Sequence, residues 1–421
     1  MRPACTSLSF TGSELSSNYD WPGMLDSVDV AIIGAGQAGL ATSWYLKQAG
    51  VDHVVLEAKR VAETWRSRRW DSFCLVTPNW TVQLPGAPYA GPDPDGFMNR
   101  DELVQHFERW ARAFDAPVRQ GCAVTSLDPE TGGFTLQTGA GELRARRVVV
   151  ASGGYQRAFM PPGTRDFPPG VTQLLAEEYR NPAELPPGAV LIVGSGQTGC
   201  QLAEELHETG RKVILSCGRC PWAPRRMGGR DLMWWMVESG FWSRTLADLP
   251  SLAARLFSNP LATGHDGGHD LHLRTLHDKG VELVDRYVGA GDGRVHFAAD
   301  LSGTIQAGDG MAAYFKKWVD ALCESSAFPF LGSCRLRLGS KVVTNSTWRA
   351  RTSAQSSGQR ASAPTTAGST FPCSTKWAIQ SRSTGAPRSR AFTSWAFISS
   401  ARHSPRSSTV LERMRSWWPN R

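Results

Sequence analysis

Three glycines at Gly34, Gly36 and Gly39, and three more at Gly194, Gly196 and Gly199, share the spacing G-x-G-x-x-G. Each set follows an apolar run, Val30-Ala-Ile-Ile33 in one case and Val190-Leu-Ile-Val193 in the other. A strand that ends in such a turn and opens a helix is built to hold a pyrophosphate. The first glycine allows the tight turn, the second lets a phosphate approach the backbone, and the third lets the helix pack on the strand. The helix N-terminus then points free N–H groups and the positive end of its dipole at the anion, worth roughly 0.3–2 kcal/mol. Gln37, Ser195 and Gln197 fill intervening positions and join the candidate binding residues. Two such sets predict two dinucleotides, and a protein that passes electrons from one to the other.

The two sets differ in the strand that comes next. The run Val51-Asp-His-Val-Val-Leu-Glu57 ends in a carboxylate about 20 residues past Gly36, where an acid hydrogen-bonds a ribose hydroxyl. The run Arg211-Lys-Val-Ile-Leu-Ser216 ends in a neutral serine, followed by Arg219, Arg225 and Arg226. A missing acid with guanidiniums nearby suits a ribose 2′-phosphate. FAD is therefore expected at the first set and NADPH, over NADH, at the second. The plainer alternatives are a solvated strand-end Glu57 and a solvated arginine loop.

The elements that must position these residues can be placed from pattern. Residues 29–60 read as a βαβ unit, with amphipathic helices over Leu40–Gln48 and Cys200–Thr209 after the two glycine sets. Residues 61–98 are loop-rich and carry Trp65, Trp70 and Trp80. A helix is expected through Ala113, capped by Asn99 or Asp101. Short strands are expected at Ala123–Leu127, Gly133–Thr138 and Glu142–Arg146, and an apolar strand then runs into Gly153-Gly154. Residues 220–260 hold Trp222, Trp234, Trp235 and Trp242, read as a small helical core in preference to a pocket wall.

Composition narrows the class. A chain of 421 residues can bury two or three cores. No apolar stretch has the length of a membrane span, and the first 28 residues do not resemble a signal peptide. Nine cysteines without a framework suit a reducing cytoplasm, and no metal site is expected. The net charge of +8 hints at a nucleic-acid or membrane partner, but its distribution argues otherwise. Residues 331–421 hold 15 of the 46 bases and one acid, Glu412. The rest is therefore acidic, with 31 bases against 37 acids.

Over residues 28–330 the chain resembles the flavin-dependent NADPH monooxygenases, which include the flavin-containing monooxygenases and Baeyer–Villiger enzymes. The resemblance rests on both glycine sets, on Glu57, on Glu63-Thr-Trp65-Arg66 and on Ala151-Ser-Gly153-Gly154. It adds Trp65, Arg66 and Gly153 to the cofactor residues. A family signature of phenylalanine, glycine, histidine and an aromatic is met by Phe167, Gly170 and Tyr179, with Leu175 standing where the histidine would be. The resemblance implies that NADPH reduces FAD, that O₂ adds to form a C4a-peroxyflavin, and that one oxygen enters a small organic substrate. By analogy Asn79, and second Asp71, would stand at the flavin's reactive edge. Both types also serve as plain loop residues. Cys217-Gly-Arg-Cys220 offers a competing disulfide relay, disfavoured by its place after the second strand of the NADPH unit.

The expected architecture is α/β with two Rossmann-like dinucleotide-binding domains. A leader over 1–27 precedes an FAD domain over 28–155, an NADPH domain inserted over 156–300, a return segment over 301–334 and an aberrant low-complexity tail over 335–421. In that tail Ser, Thr, Ala, Arg and Pro dominate. It reads as a disordered basic tail or as a frameshift. Permitted codons for residues 356–370, read one base earlier, give the Ala-Thr-Gly-Phe motif of these flavoproteins. The same shift over 369–379, 390–399 and 409–420 gives family-like segments. One lost base before residue 335 would explain all four, and would leave the chain holding FAD weakly. The functional alternatives are an NADPH:acceptor flavin oxidoreductase and a non-catalytic product of a damaged gene. Substrate and oligomeric state are not legible.

Overall fold

A computed structural model describes residues 27–155, 158–248, 260–324, 370–372 and 377–380. The expected leader and tail lie outside these residues, apart from Ser27 and two short strands.

The chain opens with β1 (Ser27–Ile33), α1 (Gln37–Gln48) and β2 (His53–Leu56), the expected βαβ unit. A five-residue helix α2 (Glu63–Ser67) follows, then a small hairpin of β3 (Gln83–Leu84) and β4 (Ala87–Pro88), and α3 (Arg100–Ala113). Asn99 is the cap of α3. Its Oδ1 accepts from the Asp101 and Glu102 amides, and the Glu102 carboxylate accepts from the Asn99 amide, a closed capping box. Next come β5 (Val118–Arg119), β6 (Val124–Glu130), β7 (Gly133–Thr138) and β8 (Gly141–Val150). The last is one continuous strand where two were expected.

These strands form one sheet in the order β5-β2-β1-β8-β7-β6. The pairs β5-β2, β2-β1 and β1-β8 are parallel, and β8-β7-β6 is an antiparallel meander. The central strands are apolar because both faces are buried: Val30, Ile32 and Val55 pack with Leu40 of α1 on one, and Ala31, Val54 and Leu56 pack with Leu136 and Leu143 of the meander on the other. All six strands come from residues before 151. A later segment returning to this sheet is not among the described residues.

The second unit begins with β9 (Thr172–Leu175), β10 (Val190–Val193), α4 (Gln197–Glu208) and β11 (Val213–Ser216). A second hairpin, β12 (Arg226–Met227) and β13 (Arg230–Asp231), leads into α5 (Leu232–Glu238), α6 (Leu273–Lys279) and β14 (Glu282–Val284). The strands β15 (Tyr287–Gly291) and β16 (Arg294–Phe297) precede the long α7 (Leu301–Glu324), and β17 (Thr370–Pro372) and β18 (Trp377–Gln380) close the series. The second sheet runs β14-β11-β10-β18-β9, all parallel, with β18 between β10 and β9. A third sheet, β15-β16-β17, is antiparallel.

The tryptophan-rich stretch builds a small core. Trp235 is fully buried and donates its indole N–H to the Met227 carbonyl. It clusters with Leu232, Met236 and, from α7, Phe315 and Val319. Val76 and Trp80 of the first unit lean on the same cluster. Helix α7, expected as a return segment, lays Gly308 on the Cys220 carbonyl and so packs on the second unit. No helix among the described residues is long and apolar enough to cross a membrane.

Candidate functional site

Both glycine sets sit where strand becomes helix. Gly34 follows β1 with φ +109°, and Gly194 follows β10 with φ +108°, a conformation that L side chains rarely adopt. A Cβ on Gly34 would lie 2.6 Å from the Ala151 carbonyl oxygen. A Cβ on Gly39 would lie 1.8 Å from the Gly34 carbonyl oxygen, so helix and turn touch there. Gly36 is different. A Cβ there would meet no protein atom within 4 Å. Nothing in the chain itself demands a glycine at that position, and the open volume lies at the head of α1. Gly36 and Gly196 are the N-caps of α1 and α4, and neither helix has a side-chain cap. Both heads therefore keep backbone donors for something other than a capping residue.

Glu57 stands just past β2. Its Oε2 accepts from the Ala35 amide at 2.8 Å and its Oε1 from the Lys59 amide at 2.9 Å, so the turn itself aims the carboxylate. Ala62, with φ +58°, caps α2 and donates its amide to the Ala35 carbonyl at 3.1 Å. Helix α2 thereby rests on the first glycine turn and carries Trp65 and Arg66 beside it. Arg66 pairs with Glu108 of α3 at 2.5 Å and keeps its Nε buried without a hydrogen-bond partner. Gly153 follows β8, beside the turn that Ala151 closes on Gly34. The open head of α1 and the aimed Glu57 fit an adenine dinucleotide.

At the second turn, Ser195 is buried and donates its hydroxyl to the Gly218 carbonyl at 3.2 Å, which holds the loop of exposed Arg219 against the glycines. Gln197, first residue of α4, exchanges two hydrogen bonds with the Ala262 backbone. Ser216, in the place of an acid, accepts from the Tyr287 amide and donates to the Asp285 carbonyl. Arg225 and Arg226 depart from expectation. The Arg225 side chain is 2 % exposed; it pairs with Asp231 at 2.8 Å, donates to the Val76 carbonyl and lies 4.7 Å from the centre of the Phe97 ring. Burial pushes its pKa down. A guanidinium so enclosed is closed to a phosphate arriving from solvent. The fork of Arg226 is bonded to the carbonyls of Gly267 and Gly268. Of the three arginines, the described contacts bring the Arg219 loop alone to the second turn.

Asn79 and Asp71 are both engaged. Asn79 is buried; its Oδ1 accepts from the Met98 amide at 2.7 Å and its Nδ2 donates to the Asp93 carbonyl at 2.9 Å. It clamps the loop between them. Asp71 accepts from Asn181 at 2.8 Å and pairs with Arg100 at 2.7 Å, and the two partners hold its carboxyl below the usual range. Cys217 and Cys220 are free thiols, both buried beneath the second glycine turn with Cys200. Burial pushes Cys217 well up, and a hydrogen bond to Cys220 does so first for Cys200. A Cys217 thiol held protonated in this way is a poor nucleophile, which argues against a relay. Among the described residues no group of three or more His, Cys, Asp or Glu could hold a metal.

Residues 31–229 match the family model described as pyridine nucleotide-disulphide oxidoreductase. This segment is similar to that family. It holds both glycine turns, Glu57 and the Arg219 loop, so the family match and the site coincide. Among relatives, an uncharacterised CzcO-like oxidoreductase of Geobacillus kaustophilus is 38 % identical over 51 % of this chain and 61 % of its own length. Rice (Oryza sativa subsp. japonica) indole-3-pyruvate monooxygenase YUCCA1 is 32 % identical over 44 % of this chain and 46 % of its own. The chain thus spans less than two thirds of each. A flavin-containing monooxygenase from Stenotrophomonas maltophilia shares the fold with TM-score 0.50 and 22 % identity, over 66 % of this chain and 74 % of that one. The expected likeness to flavin monooxygenases therefore holds at the level of sequence relatives and of fold.

Proposed function

We propose that this chain is an FAD-containing, NADPH-dependent monooxygenase acting on a small organic substrate with O₂. The observation that carries the reading is the pair of uncapped helix heads with unlike strand ends, Glu57 at one and Ser216 at the other. FAD bound at the first turn would supply the redox chemistry and the activation of O₂. The chain's own groups have simpler tasks. Glu57 takes the ribose hydroxyls and the head of α1 takes the pyrophosphate, while Arg66 sits on α2 beside that turn. At the second turn the head of α4 takes the NADPH pyrophosphate, and Arg219 is the candidate for the 2′-phosphate. Asn79 and Asp71 position loops around the site. The monooxygenase relatives support oxygen insertion over plain electron transfer. A cytoplasmic setting, expected from cysteines that form no framework, completes the reading.

The chain loaded with FAD should consume NADPH in air and, with its substrate, form an oxygenated product. NADPH consumed with all reducing equivalents recovered as hydrogen peroxide, whatever substrate is offered, would make it an NADPH:acceptor flavin oxidoreductase instead. A chain that takes up no flavin and leaves NADPH untouched would remove both readings.

A further inference from the structure

The structure contains an unbroken line of bonds between the two glycine turns. It starts at the Ala35 carbonyl, inside the first turn, which accepts the Ala62 amide at 3.1 Å. Ala62 heads α2, and the last residue of α2, Ser67, offers its carbonyl to the Arg180 guanidinium. The Arg180 carbonyl in turn accepts from the Asp71 amide at 2.8 Å. Beside Asp71, the Ser72 hydroxyl donates to Glu205 Oε2 at 2.8 Å. The Tyr179 hydroxyl donates to Glu205 Oε1 at 3.0 Å. Glu205 lies on α4, the helix headed by Gly196 of the second turn.

Glu205 is the one carboxylate in this line that grips both units at once, through Ser72 of the first and Tyr179 of the second. Tyr179 is 1 % exposed, so its hydroxyl has no water to turn to if Glu205 lets go. We propose that Glu205 is a positioning residue that couples the two nucleotide sites, so that filling one tightens the other. Resting on the two-nucleotide reading, it assigns to that site a cooperativity carried by Glu205, Ser72 and Tyr179. A nucleotide on the first turn orders the Ala35–Ala62 contact and α2 with it. Through Arg180 and Ser72 that order fixes Glu205, and so the angle at which α4 meets its own ligand. Linkage makes the effect equal in the other direction.

The test is calorimetric titration of the full chain with NADP⁺, with and without saturating FAD. FAD should tighten NADP⁺ by about five-fold or more, the lower bound for a recognised coupling. In Glu205→Ala this ratio should fall below two-fold while each nucleotide alone keeps its affinity. Glu205→Gln, which can still accept one bond and donate another, should restore most of it. An Ala variant with the full ratio, or one that weakens both ligands equally at constant ratio, overturns the proposal. Amide exchange of the nucleotide-free chain separates this from the parent reading. Glu205→Ala should speed exchange at Asp71 and Ala62, and unchanged exchange there removes the link even if neither nucleotide binds. Failure of both ligands to bind, with exchange altered as expected, removes the two-nucleotide reading and the cooperativity but leaves the bonded line.

Discussion

Single residues divide into those the chain needs for itself and those it keeps for something else. Gly39 is needed by the fold: a methyl group 1.8 Å from the Gly34 oxygen forces helix and strand apart. Gly36 has open space around it. Gly36→Ala should therefore change stability by no more than about 1 kcal/mol, the scale of an N-cap exchange, while FAD affinity falls at least ten-fold. Gly39→Ala should lose stability and binding together. Thermal melts with flavin titrations check both, and equal melting losses in the two variants would refute the distinction. Arg225 makes a second case. Removing one partner of a buried ion pair costs about 3–5 kcal/mol, so Arg225→Met should destabilise by that order, and Arg225→Met with Asp231→Asn, which drops the charge but keeps the cap that Asp231 gives the Met233 amide of α5, should recover much of it. A double variant as unstable as the single one would show that the Val76 contact, and not the Asp231 charge, is what the guanidinium supplies. Glycine spacing was legible in the sequence because backbone geometry leaves few residue choices. The burial of Arg225 was not, since no local pattern announces that a loop arginine will cross to Val76.

At the scale of the element, α4 is the most heavily used helix in the second unit. Its head is the second glycine turn and Glu205 faces the first unit, while Glu204 and Glu208 face the segment from His265 to Lys279. Glu204 is 3 % exposed at the side chain and receives His269 and Lys279, each at 2.7 Å. Glu208 receives His265 at 3.2 Å and Lys279 at 3.3 Å. Its hydrogen bond to Glu204 holds the His269 pKa above the ordinary value, against the pull of partial burial. Burial alone would raise Glu204, but its bonds from His269 and Lys279 hold it below the usual range. The two groups act in opposite directions with pH. The His269 contribution is complete below about pH 6.5, the unfolded value, and is lost as pH rises through the raised folded value. The Glu204 contribution is present above the unfolded carboxylate value and is lost as pH falls through the lowered folded one. The stability that His269→Asn removes should thus be largest in mildly acidic buffer and shrink toward about pH 8, above the ordinary histidine range. Melting curves of both proteins across that range test it, and a difference that grows with pH would contradict the pairing. The helix itself was readable from Cys200 to Thr209 by its apolar period. Its charged partners were not, because they lie 57 to 75 positions away.

For the whole molecule, the two parallel βαβ units, the Asn99 cap and the β6–β8 meander follow from local pattern, which is why the sequence shows them. The order of the second sheet does not. The slot beside β10 is filled by Trp377–Gln380, from a region whose composition has no strand period. A chain cut after residue 369 should keep the first sheet intact while the amides of β9 and β10 exchange faster, as hydrogen exchange resolved by segment would show. Unchanged protection of Val190–Val193 in the shortened chain would deny β18 a structural part.

That placement also bears on how the polypeptide is made. Leu191 leaves the ribosome nearly two hundred codons before its partner Ala378, and loops of that span close late and slowly. During synthesis β9 and β10 must wait with facing edges bare, an interval in which a chaperone, or another nascent copy, has its best opportunity to bind.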